Sequence, residues 1–247
     1  MKRITGRQVF NFSLFALVVG AYIFISWARN ALPADGTALQ ALESDERVIV
    51  KEDAGLITFE PVDTDFDTGF IFYPGGRVDY RAYAPVLNLI AERGYFVALV
   101  PAPLNLAFFN TNAAGQVMDL FPEMEHWVVG GHSLGGVAAA SFSERNLSKV
   151  KGLVLWASYP SNDALRDSGI QAITIYGTND MEGDEQINLA GDRLPATAQF
   201  ITIEGGNHAQ FGSYGPQPGD QPATITPEEQ WAQAAEITVT FIESLNK

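Results

Sequence analysis

The strongest constraint on the fold lies in Trp127–Phe142, where the apolar run WVVG passes through Gly131-His132-Ser133-Leu134-Gly135 almost directly into VAAASF. A strand that becomes a helix within so few residues brings backbone segments too close for side chains at Gly131 and Gly135. The pattern G-x-S-x-G therefore predicts a strand, a sharp turn carrying Ser133, and a helix. Ser133 then projects above the C-terminal edge of a sheet, with a helix N-terminus beneath it. The N–H of Leu134 points to where an oxyanion would form. Ser133 is the candidate nucleophile.

The rest of the chain repeats the same rhythm. Apolar runs at Gly69–Tyr73, Tyr95–Val100, His126–Gly130, Val150–Ala157, Ala172–Tyr176 and Phe200–Ile203 read as strands. Helical spacing at Asp79–Arg93, Asn112–Phe121, Leu134–Glu144 and Pro227–Leu245 falls between or after them. Continuously apolar strands alternating with helices predict a doubly wound, mostly parallel α/β sheet covered on both faces. A short helix at Ala38–Leu42 and strands at Arg47–Lys51 and Gly55–Glu60 precede this core. Nothing repeats and no second boundary shows, so residues 35–247 are expected to form one domain.

A serine hydroxyl needs a base, and the chain has only three histidines. His132 adjoins Ser133, with its side chain expected to point away from the hydroxyl. His126 starts the strand that feeds the turn, at the far end of the sheet. His208 remains, in the loop Glu204-Gly205-Gly206-Asn207-His208 after the last apolar strand. Asp180, in Gly177-Thr178-Asn179-Asp180 after Ile173–Tyr176, is placed to orient it, giving the chain order Ser133, Asp180, His208. Glu182 and Asp184 are the substitute acids. A second oxyanion donor is expected after Gly69–Tyr73, where Pro74 has no N–H. Gly75, Gly76 and Arg77 are the alternatives, with Gly76 favoured.

Before the domain, Val9–Ala28 runs for twenty residues without a charge, enough for a helix to span the ~30 Å hydrocarbon core. Lys2, Arg3 and Arg7 precede it, and Arg29 follows. The expectation is an uncleaved signal anchor over residues 1–34, N-terminus inside and domain outside a cell membrane, with a cleaved signal peptide as the rival. Residues 1–34 carry four basic and no acidic side chains, and the remainder carries 11 basic and 29 acidic. So acidic a domain excludes a phosphate-tracking surface and hence nucleic-acid binding. It is also expected to be held off an anionic lipid surface on the short Asn30–Thr37 tether. No cysteine is present, which removes disulfides and thiol chemistry. The run Asp63-x-Asp65-x-Asp67 lacks the glycine and glutamate of a calcium loop and reads as a solvated acidic loop.

The segments FIFYPGG, GGHSLGG, ITIYGTND and EGGNHAQFGSYG together resemble the α/β-hydrolase superfamily, especially its small, dienelactone-hydrolase-like branch, over about Gly69–Leu245. The resemblance implies an α/β-hydrolase fold and a serine hydrolase of small carboxylic esters or lactones, using Ser133, Asp180 and His208. Leu134 and Gly76 would form the oxyanion hole, and no metal or organic cofactor would be needed. Pro74-Gly75 stands where relatives usually have His-Gly. Only Ser158–Gly169 separates two strands where many relatives insert a cap, so the site is expected to be open and shallow. Arg77, Tyr159, Phe211 and Tyr214 flank the motifs as candidates to line a substrate pocket, and the loop Gln210–Thr226 as a candidate wall. A membrane-tethered binding protein without turnover, an acyltransferase and a lipase are the rival readings. A lipase would need an exposed apolar patch near Ser133, for which the sequence offers no clear stretch.

Overall fold

A computed structural model describes residues 6–62, 64, 66–181 and 183–245. Asp63, Asp65 and Glu182 lie outside the described residues. Eight strands form one sheet in the order β1-β2-β4-β3-β5-β6-β7-β8. They are β1 Val48–Asp53, β2 Leu56–Pro61, β3 Thr68–Tyr73, β4 Phe96–Leu99, β5 His126–His132, β6 Gly152–Trp156, β7 Gln171–Gly177 and β8 Gln199–Ile203. From β4 to β8 every pairing is parallel, and β1 and β2 add an antiparallel edge.

Alternation inside the apolar runs builds two cores. Phe70, Phe72, Val128, Val154 and Trp156 face one side, with α3 (Ala84–Ala91) and α7 (Pro227–Ser244). Ile71, Tyr73, Val129, Leu153 and Leu155 face the other, with α4 (Ala113–Leu120), α5 (Leu134–Arg145) and α6 (Gly183–Arg193). Each central strand is thus buried on both faces, which is why no charged residue interrupts it. The register Tyr73↔Gly131 and His132↔Trp156 sets the ends of β3, β5 and β6 side by side, so the loops that follow converge on one edge.

The N-terminal helix, α1 (Gly6–Arg29), is long and apolar enough between Phe10 and Arg29 to cross a membrane, and Phe10–Trp27 is exposed. Its junction with the domain differs from the expected tether. Ala28 is fully buried. Leu32 forms a parallel bridge with Val78, donating its N–H to Arg77 O (2.8 Å) and accepting from Asp79 N–H (2.9 Å). Asp35 accepts from Ser213 Oγ (2.6 Å) and caps the short helix α2 (Gly36–Gln40). Apolar Leu32 and Ala34 pack on the core, so the segment lies against the domain rather than extending from it.

Candidate active site

Ser133 occupies the turn between β5 and α5 with φ 51° and ψ −122°, a backbone conformation unfavourable to a residue with a Cβ. Its N–H donates to Trp156 O (2.9 Å), and Ser158 Oγ donates to its carbonyl (2.6 Å). These two bonds hold the turn from the neighbouring strand. Ser158 escaped the sequence reading, having no motif of its own. The two glycines permit close approach as expected: a Cβ on Gly131 would meet Gly135 C at 2.5 Å, and one on Gly135 would overlap the carbonyls of Tyr73 and Pro74. Because both obstacles to Gly135→Ala are backbone, the variant is expected to lose about 3 kcal/mol or more of stability, read by urea unfolding. A wild-type midpoint would show that the turn tolerates displacement.

Strain gathers along this edge. Arg77 (φ 57°), Leu104 (φ 55°), Asn105 (φ 57°) and Ala157 (φ 45°) are also left-handed, all in segments that follow strands of the sheet. Non-glycine residues hold such angles only where surrounding contacts enforce them.

The loops carrying His208 and Asp180 are joined backbone to backbone. Gly177 abuts Gly206, Asn179 N–H donates to Gly206 O (2.8 Å), and Gly205 N–H donates to Thr178 Oγ1 (2.8 Å). His208 Nδ1 lies 3.0 Å from Asp180 Oδ2 and 3.3 Å from Oδ1. The Asp180 side chain is fully buried and that of His208 is 3% exposed. Gln230 of α7 grips Asn207 from both sides, accepting from its N–H (3.0 Å) and donating to its carbonyl (2.8 Å). Asp220, a second carboxylate absent from the sequence reading, accepts from the N–H groups of His208 (3.4 Å) and Ala209 (2.7 Å). Burial raises its pKa from the ordinary aspartate value, against the lowering effect of those N–H groups. Its only sequence signal was an acid in a Pro- and Gly-rich loop shortly after His208. Asp184, the substitute acid among the described residues, is the second residue of α6.

His132 is buried, and its ring lies 4.6 Å from the His208 ring. Tyr83 Oη accepts the Gly75 N–H (3.1 Å) and stands 2.8 Å from His132 Nδ1. Burial, reinforced by the nearby His208, holds the His132 pKa well below the ordinary histidine value. The unfolded chain therefore binds a proton below pH ~6.5 that the fold refuses, and this residue makes stability fall with decreasing pH by up to about 1.4 kcal/mol per pH unit. Urea unfolding at pH 7.5 and 5.5 should show a shallower pH dependence in His132→Gln than in wild type. Equal dependences would place the acid lability elsewhere.

Of the three alternatives for a second donor, Gly75 gives its N–H to Tyr83 and Arg77 gives its N–H to Asn105 O (2.7 Å). Gly76 N–H has no acceptor among the described residues, and neither does that of Leu134, in the first turn of α5. Gly76 sits over Leu134, close enough that a Cβ would be 2.9 Å from Leu134 Cδ2. The Ser133 hydroxyl likewise makes no hydrogen bond among the described residues.

The expected pocket residues fare differently. Phe211 is fully buried against Trp156 (5.8 Å between ring centroids) and His132 (5.5 Å). Tyr214 is 5% exposed beside Tyr83 (6.4 Å). Both are core residues and not pocket lining, because the stretch after His208 folds inward as a 3-10 turn, Ala209–Phe211. Arg77 is also committed elsewhere. Its Nε donates to Trp27 O (3.1 Å), its Nη2 donates to Asn30 O (2.8 Å), and the group lies 4.6 Å over the Trp27 ring. Tyr159 is half-buried under the Arg193 guanidinium (5.5 Å). A cavity of about 440 Å³ is lined by Gly76, Arg77, Gln217 and Pro218, with Asn30, Ala31 and Leu32 beyond the end of α1 as its opposite wall. Gln217 and Pro218 of the loop Gln210–Thr226 form one wall of this cavity and the segment after α1 another, while Ser133 and His208 are not among its lining residues.

The alpha/beta hydrolase family model matches residues 69–232, from β3 into the first turns of α7 and so over the loops that carry Ser133, Asp180 and His208. The chain belongs to the alpha/beta hydrolase family. This alpha/beta hydrolase is similar in fold to an esterase domain from Rhodothermus marinus (14% identity, TM-score 0.61, 80% of this chain and 98% of that one). A fungal esterase from Rhizomucor miehei aligns at 14% identity and TM-score 0.61, over 90% of each chain. A dienelactone hydrolase from Anabaena variabilis aligns at 15% identity and TM-score 0.59, over 81% of this chain and 97% of that one. No curated protein matches the hydrolase in sequence.

Proposed function

We propose that the protein is a serine hydrolase of carboxylic esters, anchored to a membrane by α1. The observation that carries this reading is the His208–Asp180 hydrogen bond (3.0 Å) on a buried ring packed against His132, the residue preceding Ser133 on its strained turn. The esterases of similar fold agree with it. Ser133 Oγ attacks the ester carbonyl carbon while His208 takes the hydroxyl proton, and Asp180 stabilises the resulting imidazolium. The N–H groups of Leu134 and Gly76 receive the negative oxygen of the tetrahedral intermediate. Collapse expels the alcohol, which leaves with the proton from His208. A water, deprotonated by His208, then cleaves the acyl-enzyme and restores Ser133. Membrane anchoring rests on the length and apolarity of α1, with Lys2, Arg3 and Arg7 on its N-terminal side directing the domain to the outer face.

A fluorophosphonate should label the full-length protein at a single serine, read by mass spectrometry of the digest. Adduct on Ser133 is the expected result. An unlabelled protein would remove the nucleophile and leave a binding protein on a hydrolase fold.

A further inference from the structure

The contact between α1 and the domain fixes more than an attachment point. Five residues before the end of α1, Phe24 meets Phe109 edge to face, 6.2 Å between centroids. Phe108 packs on Phe109 (4.4 Å), and both rings are 48% exposed. Asn105, in the same stretch, donates from Nδ2 to Ala28 O (3.1 Å), so the stretch is bonded to the helix as well as touching it. From Pro101 to Met118 there is no Asp, Glu, Lys or Arg, although the domain around it is strongly acidic. Two exposed phenylalanines on an uncharged surface, continuous with exposed Trp27, Phe24 and Ile23 of α1, make one apolar face.

Only one occupant suits this face. At 1.5 Å per residue, Phe24 lies roughly 7 Å inside the end of the helix, so a ring touching it is drawn below the water boundary wherever α1 crosses a bilayer. A protein partner would have to cover Phe108 and Phe109 while sharing that depth with lipid. We infer that Phe108 and Phe109 insert into the leaflet at the C-terminal end of α1, and that the cavity beside Gly76 opens at the membrane surface to take ester substrates dissolved in that leaflet. The inference rests on the anchor and esterase readings given above. The geometry places Asn30, Ala31 and Leu32, just past the outer end of the span, on the same cavity wall system as Gly76 and Arg77. An amphiphilic ester whose carbonyl sits at headgroup level is thereby presented at the depth of the candidate oxyanion donors, its acyl chain still among lipids. The overall acidity of the domain does not prevent this approach, because the approaching face is the uncharged one.

Absence of cysteine makes the test direct, since single cysteines can be introduced into the full-length chain without competing thiols. Environment-sensitive fluorophores on Leu17→Cys, Phe109→Cys and Leu147→Cys report the middle of α1, the proposed inserted face and a position after α5 at the opposite edge of the sheet. In phosphatidylcholine vesicles with brominated acyl chains, quenching is expected at positions 17 and 109 and not at 147. Quenching at 17 alone leaves the anchor standing and overturns insertion of the domain. Quenching at neither overturns the anchor reading and this inference with it. For the substrate class, p-nitrophenyl palmitate carried in the enzyme's own vesicles should be hydrolysed about tenfold faster than the same ester in separate protein-free vesicles. Equal rates would overturn supply from the leaflet. Failure to cleave even water-soluble p-nitrophenyl acetate would instead strike the esterase reading.

Discussion

Ser133→Ala is expected to lower kcat/KM for p-nitrophenyl butyrate by about 10⁴-fold or more, with the melting temperature nearly unchanged. The loss corresponds to roughly 5.5 kcal/mol of transition-state stabilisation, more than positioning and oxyanion contacts could replace. Stability should survive because the deleted hydroxyl makes no hydrogen bond among the described residues. The bonds that secure the turn, to Trp156 O and from Ser158 Oγ, are made by backbone atoms of residue 133. Alanine also meets the same left-handed φ as serine, so no new strain enters. Hydrolysis that persists in the variant would place the nucleophile elsewhere.

Asp180→Asn should cost about 10⁴-fold in kcat, again with little change in unfolding. An amide in place of the carboxylate offers the imidazole an N–H as readily as an oxygen. His208 is then free to take the tautomer that cannot accept the Ser133 proton, and its cation is no longer stabilised. The two loops should stay joined, since Gly177, Asn179, Gly205 and Gly206 meet through contacts that do not use the Asp180 side chain. Asp220→Asn provides the comparison. Its oxygens accept from backbone N–H groups beside His208 rather than from the ring, so the rate should fall far less. A larger loss at Asp220 than at Asp180 would exchange their assignments.

Much of this was legible before any coordinates. The runs at β3, β5, β6 and β7 are buried on both faces and could hardly be anything else, and the two glycines around Ser133 announce backbone contact by lacking side chains. The choice of His208 as candidate base rests on elimination among three histidines, which a more histidine-rich chain would not have allowed. What stayed hidden were pairings between distant residues of unremarkable type. Tyr83 and His132 are 49 positions apart, and Arg77 and Trp27 are 50. Neither pairing leaves a periodic or compositional trace. The same blindness turned Phe211 and Tyr214 into expected pocket residues: an aromatic in a loop reads alike whether the loop folds outward or inward. The tether reading failed because hydropathy over Asn30–Asp35 says nothing of a bridge to Val78.

That bridge bears on where the chain can be cut. A secretory peptidase, or an experimenter seeking a soluble enzyme, would find the obvious boundary at Asp35, after the last apolar residues. Cleavage there removes the Leu32–Val78 pairing, the buried Ala28, and both carbonyl acceptors of the Arg77 guanidinium, leaving Gly76 next to an arginine held through its backbone N–H to Asn105 O. A trimmed version that keeps Trp27–Pro33 preserves those contacts, whereas one starting at Asp35 retains Ser133 yet loses them. Any cut at that point would thus reach the Gly76–Arg77 loop through a few residues that belong by sequence to the α1 segment and by contact to the domain.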